Sequence, residues 1–273
     1  MRLLFLGDMV GKTGRTAVQE QLPGLISDFR LDFVIVNGEN AAGGFGITEE
    51  IFQATIAAGA DVVTTGNHVW DNRDALNFAP REERFLRPSN FPKGTPGRGS
   101  GVYPARNGAR VLVANIMGRV FMHPELDDPF QAGERELAAC PLGEQADAAV
   151  IDFHAEATSE KMCFAHFVDG RVSLVVGTHT HQPTADHQIL NGGTAYISDA
   201  GMCGDYDSSL GIDKDEPLNR FLSKVPKGRF EAAGGPATIC GVGIDISDRT
   251  GLAERIAPFR RGPRLEETVP SFW

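Results

Sequence analysis

The sequence has few cysteines, no long apolar run and no excess of positive charge. Its four cysteines lie far apart in 273 residues and form no C-x-x-C pair, which predicts reduced, structural thiols and a cytoplasmic location. No stretch approaches the ~20 apolar residues that a membrane-spanning helix needs. The first apolar run, residues 3–6, is too short for the core of a signal peptide. We therefore expect a cytoplasmic protein without membrane contacts.

The net charge is −10, from 36 acidic and 26 basic residues. An acidic surface repels a phosphate backbone, so stable binding to duplex nucleic acid is not expected. A small phosphorylated ligand is still allowed, because bound cations can reverse the potential inside a cleft. Apolar residues make up 41% and charged residues 23% of the chain, a composition that excludes a disordered or coiled-coil protein.

Short apolar runs alternate with helix-like segments through the first half of the chain. Predicted strands cover residues 3–6, 33–36, 61–64, 110–116, 148–153 and 172–176, and predicted helices cover 16–29, 70–78 and 156–167, with a further helix starting at Thr48. The later part is richer in strands, at 194–198 and 238–246, and is predicted to be more antiparallel. The basic residues at 255–264 are interpreted as a solvated tail that covers a sheet edge.

This pattern predicts an α/β fold in which layered β-sheets are flanked by helices. No convincing linker divides the chain, so we expect a single domain over residues 1–273. Residues 80–101 contain four prolines and four glycines and are predicted to form an irregular, loop-rich insertion. That insertion could cover a cleft or form a subunit interface, which leaves room for a homo-oligomer.

Residues that can bind metal ions follow five of the predicted strands. The motifs at these strand ends are Gly7-Asp8, Asn37-Gly38-Glu39-Asn40, Gly66-Asn67-His68, His154 and Gly177-Thr178-His179-Thr180-His181. In open α/β sheets, ligands bind beyond the carboxyl ends of the strands. Carboxylate, amide and imidazole groups are ligands for divalent cations. The spacing of His179 and His181 predicts that their side chains share one face.

Each motif has an ordinary alternative. Asp8 could be a turn residue or helix cap, Asn67 a cap and His154 a hydrogen-bonded core histidine. The joint occurrence of all the motifs at strand ends favours a functional site. The remaining histidines, His123, His166 and His187, lack this context and are interpreted as structural or surface residues.

The ordered motifs resemble those of the calcineurin-type metallophosphoesterases, and more closely the YmdB-like branch of 2′,3′-cyclic-nucleotide 2′-phosphodiesterases. The segments that carry this resemblance are residues 7–11, 37–44, 65–68, 152–161 and 177–181. The broader superfamily usually has His where Val10 stands and Asp where Glu39 stands, and this departure favours the narrower branch. The resemblance spans most of the chain and implies the calcineurin-like fold.

The resemblance also implies a site for two metal ions, with iron or manganese favoured and zinc tolerated. The first ion would be held by Asp8, Glu39, Asn40 and His181. The second would be held by Glu39, Asn67, His154 and His179. A hydroxide that bridges the ions would attack the phosphorus of a small cyclic nucleotide. The favoured substrate is a 2′,3′-cyclic nucleotide, and the product would be a 3′-monophosphate. His68 would act as general acid and protonate the leaving ribose oxygen.

Other functions remain open from the sequence. A phosphomonoesterase or a 3′,5′-cyclic phosphodiesterase would use the same metals, and a regulatory protein could retain a vestigial metal site. Residues 7–13 also resemble a phosphate-binding loop, although the spacing is one residue short and Asp8 would point an anion at the phosphates. The backbone of residues 42–46 could approach the substrate, with Phe45 stacked on a base, or this segment could be a flexible surface loop. Residues 201–211 receive no catalytic role.

Overall fold

The computed structural model describes all residues of the chain, 1–273, and two β-sheets form its centre. The first sheet has five strands in the order β13-β12-β1-β3-β4. Their bounds are Ala253–Arg261 (β13), Ile239–Ile246 (β12), Arg2–Leu6 (β1), Phe33–Asn37 (β3) and Val62–Thr64 (β4). Strands β1, β3 and β4 run parallel, whereas β12 and β13 are antiparallel to their neighbours.

The second sheet has six strands in the order β5-β6-β7-β8-β10-β9. Their bounds are Ser100–Pro104 (β5), Arg110–Met117 (β6), Ala148–His154 (β7), Leu174–Thr178 (β8), Ala195–Ile197 (β10) and Gln188–Ile189 (β9). The central strands β6, β7, β8 and β10 are parallel. Two short strands, β2 (Asp8–Met9) and β11 (Met202–Cys203), pair separately.

Alternating side chains pack the two sheets against each other and against helices. Leu3 and Phe5 of β1 join a core shared with the second sheet, whereas Leu4 and Leu6 join a core shared with helices. This follows from the period of two in a strand. Strands buried on both faces read as continuous apolar runs, which is why these strands are readable from sequence.

Helices cover the outer face of each sheet. Helices α1 (Gly11–Phe29), α2 (Glu49–Ala57) and α3 (Asp74–Phe78) pack on the first sheet, and α4 (Pro129–Ala139) and α5 (Thr158–Phe167) pack on the second. The Thr48 hydroxyl accepts a hydrogen bond from the Ile51 amide and caps α2. A sixth helix, α6 (Asp215–Ser223), lies in the segment before β12. No helix has the length and apolar character required to cross a membrane. The predicted class of layered sheets flanked by helices is confirmed.

Several local predictions are wrong. Helix α1 begins at Gly11 rather than residue 16, and it continues through the exposed Pro23, because the neighbouring Leu22 and Leu25 are anchored in the core. The predicted helix at 70–78 is a series of turns until Asp74. Helices α4 and α6 have no counterpart among the elements that the sequence predicts. Strand β10, expected in an antiparallel region, pairs parallel to β8.

The basic residues near the C-terminus are also not a solvated tail. Most of them belong to β13, which pairs with β12 from Ile239 to Ile246 and forms the edge of the first sheet. Phe259 of β13 is fully buried. Charged side chains are compatible with an edge strand, where they discourage pairing with another chain.

Candidate metal centre

The polar strand-end motifs converge at one place, where the carboxyl ends of the parallel strands of both sheets meet. The first sheet contributes Asp8 beyond β1, Glu39 beyond β3 and Asn67 beyond β4. The second sheet contributes His154 as the last residue of β7, and His179 and His181 after β8. Parallel strands in each sheet bring these ends to a common edge.

One group of candidate ligands surrounds the His154 ring. Its Nε2 lies 3.1 Å from Glu39 Oε1, 2.9 Å from Asn67 Oδ1 and 3.1 Å from His179 Nδ1. A second group comprises Asp8, Glu39 and His181. Within Glu39, His154 and His179, and likewise within the second group, one ligand atom per residue can be chosen so that these atoms lie within 4.8 Å of one another. Glu39 is common to both groups.

Asn40 also lies in this second group. Its Nδ2 is 3.0 Å from His181 Nε2 and donates to Glu39 Oε1 over 3.2 Å. For Asn40 to bind a metal ion through its oxygen, the side-chain amide would have to be flipped. A flip exchanges the positions of the amide oxygen and nitrogen. All the predicted ligand residues are therefore close together, from positions spread between 8 and 181 of the sequence.

The donor set fits bound cations. Asp8 is fully buried, and its Oδ1 has no hydrogen-bond partner. This is costly for a carboxylate unless a positively charged group, such as a metal ion, faces it. Burial raises the pKa of Asp8 to about 7, although His181 and His154 favour its ionised form. The set combines carboxylate, amide and imidazole groups without thiolates, a set suited to iron, manganese or zinc.

The ionisation of Glu39 and His179 supports the same interpretation. Burial opposes the charge of Glu39, but His154 outweighs it and holds the pKa of Glu39 well below its usual range. Burial and the charge of His154 lower the pKa of His179 to about 3, so its ring is neutral near pH 7. A Cβ on Gly66 would clash with Glu39 Oε2 and the His154 ring, so the close approach of this strand end requires glycine.

The backbone at the two C-terminal histidines differs from the prediction. Strand β8 ends at Thr178, and His179 and His181 have φ angles of 93° and 64°, a region that non-glycine residues seldom occupy. They do not share the face of an extended strand, yet both side chains reach the cluster. Asp199 holds the intervening residue: it accepts bonds from the Thr180 amide at 3.0 Å and hydroxyl at 2.7 Å.

A buried ion pair supports that turn. Lys161 Nζ lies 3.1 Å from Asp199 Oδ2, and the two side chains are 2% and 1% exposed. Fixing Asp199 in this way stabilises the unusual conformation of residues 179–181. Lys161 belongs to the 152–161 segment that carries the family resemblance, whereas Asp199 has no comparable sequence signal.

Each clustered histidine uses its other ring nitrogen to contact a neighbouring group. His154 Nδ1 lies 2.8 Å from Thr178 Oγ1, His179 Nε2 lies 3.3 Å from Glu156 Oε2, and His181 Nδ1 donates to the Leu210 carbonyl over 2.8 Å. Such contacts orient metal-binding imidazoles and select their tautomers. Sequence reasoning did not predict these partners, because a backbone carbonyl and a short hydroxyl have no distinctive pattern.

His68 lies beside the cluster rather than within it. Its backbone N–H donates to Glu39 Oε2 over 3.2 Å, and its Nδ1 is 2.8 Å from Asp71 Oδ2. Its ring packs edge-on against Phe45, with centroids 5.1 Å apart. The ring lines a cavity of about 380 Å³ whose other lining residues include Glu39, Glu156, His179, His181, Val10, Leu210 and Ile212.

Residues 7–13 do not form a phosphate-binding loop. The amides of Gly7, Val10 and Gly11 donate to the carbonyls of Cys240, Cys203 and Asn40, so they are not free to surround a phosphate. Asp8 belongs to the cluster, and Lys12 is exposed. Outside the cluster, His123 and His166 are exposed and His187 is half-buried.

Comparison with known proteins places the chain in a family. The family model described as YmdB-like protein matches residues 4–259. The chain is 47% identical over 256 residues to a Bacillus subtilis (strain 168) protein named 2′,3′-cyclic-nucleotide 2′-phosphodiesterase, covering 94% of this chain and 95% of that one.

Two solved structures are similar over nearly their whole length. A hypothetical protein from Thermus thermophilus has a TM-score of 0.88 and 41% identity, with 97% of this chain and 100% of that one covered. A structure described as a novel phosphatase from Mycoplasma pneumoniae has a TM-score of 0.87 and 31% identity, with 100% and 95% covered. The fold, the clustered motifs and the match over most of the sequence establish that this chain belongs to the YmdB-like protein family.

Proposed function

We propose that this protein is a metal-dependent phosphodiesterase that hydrolyses small cyclic nucleotides, with 2′,3′-cyclic nucleotides as the preferred substrates and 3′-monophosphates as products. The observation that carries the proposal is the pair of ligand groups that share Glu39, with His68 beside them on the same cavity. The activity named for the Bacillus subtilis relative agrees with this chemistry.

Two metal ions would be held by overlapping sets of side chains. The first set is Asp8, Glu39, Asn40 and His181, and the second is Glu39, Asn67, His154 and His179. Glu39 suits the shared position because a carboxylate has two oxygens. When bound, such ions lower the pKa of water and neutralise charge on a phosphate. Iron or manganese is the proposed metal, with zinc tolerated by the same ligands.

His68 would donate the proton to the leaving ribose oxygen. Asp71 accepts a hydrogen bond from Nδ1, so Nε2 is the nitrogen that can give a proton to a substrate in the cavity. The Glu39 contact to the His68 amide keeps the ring beside the proposed metal ligands. Asp71 therefore acts as a positioning residue for the general acid.

The cavity has features that suit a mononucleotide. Its volume of about 380 Å³ lies within the range of small-ligand pockets. Apolar contacts come from Val10, Leu210 and Ile212, and the Phe45 ring could stack on a base. Glu39 and Glu156 would repel a phosphate in the absence of cations, which makes metal binding a requirement for substrate binding as well as for hydrolysis.

Elemental analysis combined with substrate comparison tests the function. We expect about two equivalents of bound metal and faster turnover of 2′,3′-cyclic nucleotides than of 3′,5′-cyclic nucleotides or nucleoside monophosphates. Faster turnover of monophosphates would instead indicate a phosphomonoesterase. A protein that binds metal but hydrolyses none of these substrates would contradict the enzymatic proposal.

Metal binding at pH 7 is expected to release protons. Burial alone would lower the pKa of His154, but Glu39 raises it to about 9, so the ring is protonated in the metal-free protein at pH 7. A metal ligand must be a neutral imidazole, and the proton must therefore leave. As the pH is raised towards 9, the affinity for metal should therefore increase by up to about tenfold per pH unit for each proton released.

Calorimetry in two buffers with different ionisation enthalpies measures this release. His166→Gln is a matched control, because His166 is exposed on α5 and lies outside the cluster. It should leave the number of released protons unchanged. Binding enthalpies that are equal in both buffers would show that no proton leaves, contrary to the expected state of His154.

A further inference from the structure

A buried carboxylate lies directly beneath the candidate metal centre. Asp152 is fully buried on β7, two residues before His154. Its carboxylate accepts hydrogen bonds from Asn37 Nδ2 at 3.0 Å, Thr64 Oγ1 at 2.5 Å and Thr178 Oγ1 at 2.7 Å. Asn37 and Thr64 belong to the first sheet, whereas Asp152 and Thr178 belong to the second. Asp152 therefore joins the two sheets at the edge where the ligands converge.

The hydrogen bonds around Thr178 determine which His154 nitrogen carries the hydrogen. A threonine hydroxyl has one hydrogen to donate, and an ionised Asp152 can only accept it. The same Thr178 oxygen lies 2.8 Å from His154 Nδ1, so it must accept the Nδ1–H. When the ring is neutral, as a metal-binding imidazole must be, the lone pair is then on Nε2, which faces Glu39, Asn67 and His179.

A second set of contacts runs from Asp152 to Glu39. Asn37 Nδ2 donates to Asp152 and also to the Thr65 carbonyl at 3.3 Å, which sets the orientation of the amide. Its Oδ1 accepts the Glu39 backbone N–H over 3.1 Å. Asp152 is thus linked, through one intervening side chain in each direction, to the His154 ring and to the backbone of Glu39.

A purely structural role accounts poorly for this arrangement. The space between the sheets is filled mainly by apolar side chains such as Phe5, Ile35 and Val176, and a buried carboxylate is costly even when hydrogen-bonded. All three donors to Asp152 stand close in sequence to candidate ligands: Asn37 precedes Glu39, Thr64 precedes Asn67 and Thr178 precedes His179.

We propose that Asp152 is a positioning residue of the metal centre, which selects the metal-binding tautomer of His154 through Thr178 and anchors Glu39 through Asn37. This inference rests on the proposed function, because it assumes that His154 Nε2 binds a metal ion. It assigns Asp152 no contact with substrate. Its effect should therefore appear in metal affinity before any turnover is measured.

Asp152→Asn tests the tautomer alone, because asparagine keeps the shape of the side chain and its oxygen can still accept from Asn37 and Thr64, as Asp152 Oδ2 does. An asparagine amide would donate to Thr178, whose hydroxyl would then donate to His154 Nδ1 and leave the hydrogen on Nε2. We expect binding of one Mn²⁺ ion to weaken about 10- to 100-fold, while the affinity for the other ion and the melting temperature of the metal-free protein stay unchanged. Free Mn²⁺ is measured by electron paramagnetic resonance during titration of the metal-free full chain.

Thr178 variants provide the second arm of the test. Thr178→Val removes the hydroxyl and should weaken the same ion, whereas Thr178→Ser retains it and should restore wild-type affinity. The inference is overturned if Asp152→Asn binds both ions normally, if the serine variant is as weak as the valine variant, or if both ions weaken equally together with a lower melting temperature. Failure of the wild type to bind Mn²⁺ would overturn the proposed function as well, so the two failures are distinguishable.

Discussion

Glu39→Gln is expected to lower turnover of 2′,3′-cyclic nucleotides by roughly 10³-fold or more and to reduce the amount of bound metal. Glu39 is the residue shared by both candidate ligand groups, so its replacement affects both ions. The amide has nearly the same shape but lacks the negative charge. Metal ions contribute several kcal/mol to such reactions, and each 1.36 kcal/mol corresponds to a tenfold change in rate.

The measurement is metal content of the purified variant together with steady-state turnover. Glu50→Gln is the matched control. Glu50 is exposed in the first turn of α2, so this substitution makes the same change in charge away from the cluster. It should retain metal and turnover. Full metal content with wild-type turnover in Glu39→Gln would show that Glu39 is not a shared ligand.

His68→Ala is expected to keep the bound metal but to lower turnover of 2′,3′-cyclic nucleotides by roughly 10²–10⁴-fold, the usual contribution of a general acid. The ribose alkoxide is a poor leaving group without a proton. His68 contacts Glu39 only through its backbone N–H, so truncating its side chain leaves that hydrogen bond in place. The ring contacts that are lost are those with Asp71 and Phe45.

A change of leaving group separates proton donation from other roles of His68. A p-nitrophenyl phosphodiester releases a stable phenolate that needs no proton, so the variant should be much less impaired on it. His166→Gln is again the control for the loss of a histidine outside the cluster. Loss of metal from His68→Ala would make His68 a ligand, and equal impairment on both substrates would contradict its role as general acid.

Much of the fold is predictable because its central strands are buried on both faces. The apolar runs near residues 3–6, 33–36 and 148–153 correspond to β1, β3 and β7. Short amphipathic elements were less visible. Helix α4 has a local start signal, since Asp128 accepts hydrogen bonds from the next helical amides and Pro129 follows it, but apart from Leu137 the residues that it buries are small. The basic β13 could be recognised only by its pairing with β12.

The sequence by itself determined the ligand types and their order along the chain, since acids, amides and imidazoles follow successive strands. Only the tertiary structure decided that two different sheets bring these ends together and which nitrogen of each imidazole faces the cluster. It also decided that the amides of Gly7, Val10 and Gly11 are already paired. The physical reason is that these properties depend on partners far away in sequence, such as Asp199 for the turn at Thr180 and the Leu210 carbonyl for His181. Local pattern carries no information about such contacts until the sheets have packed.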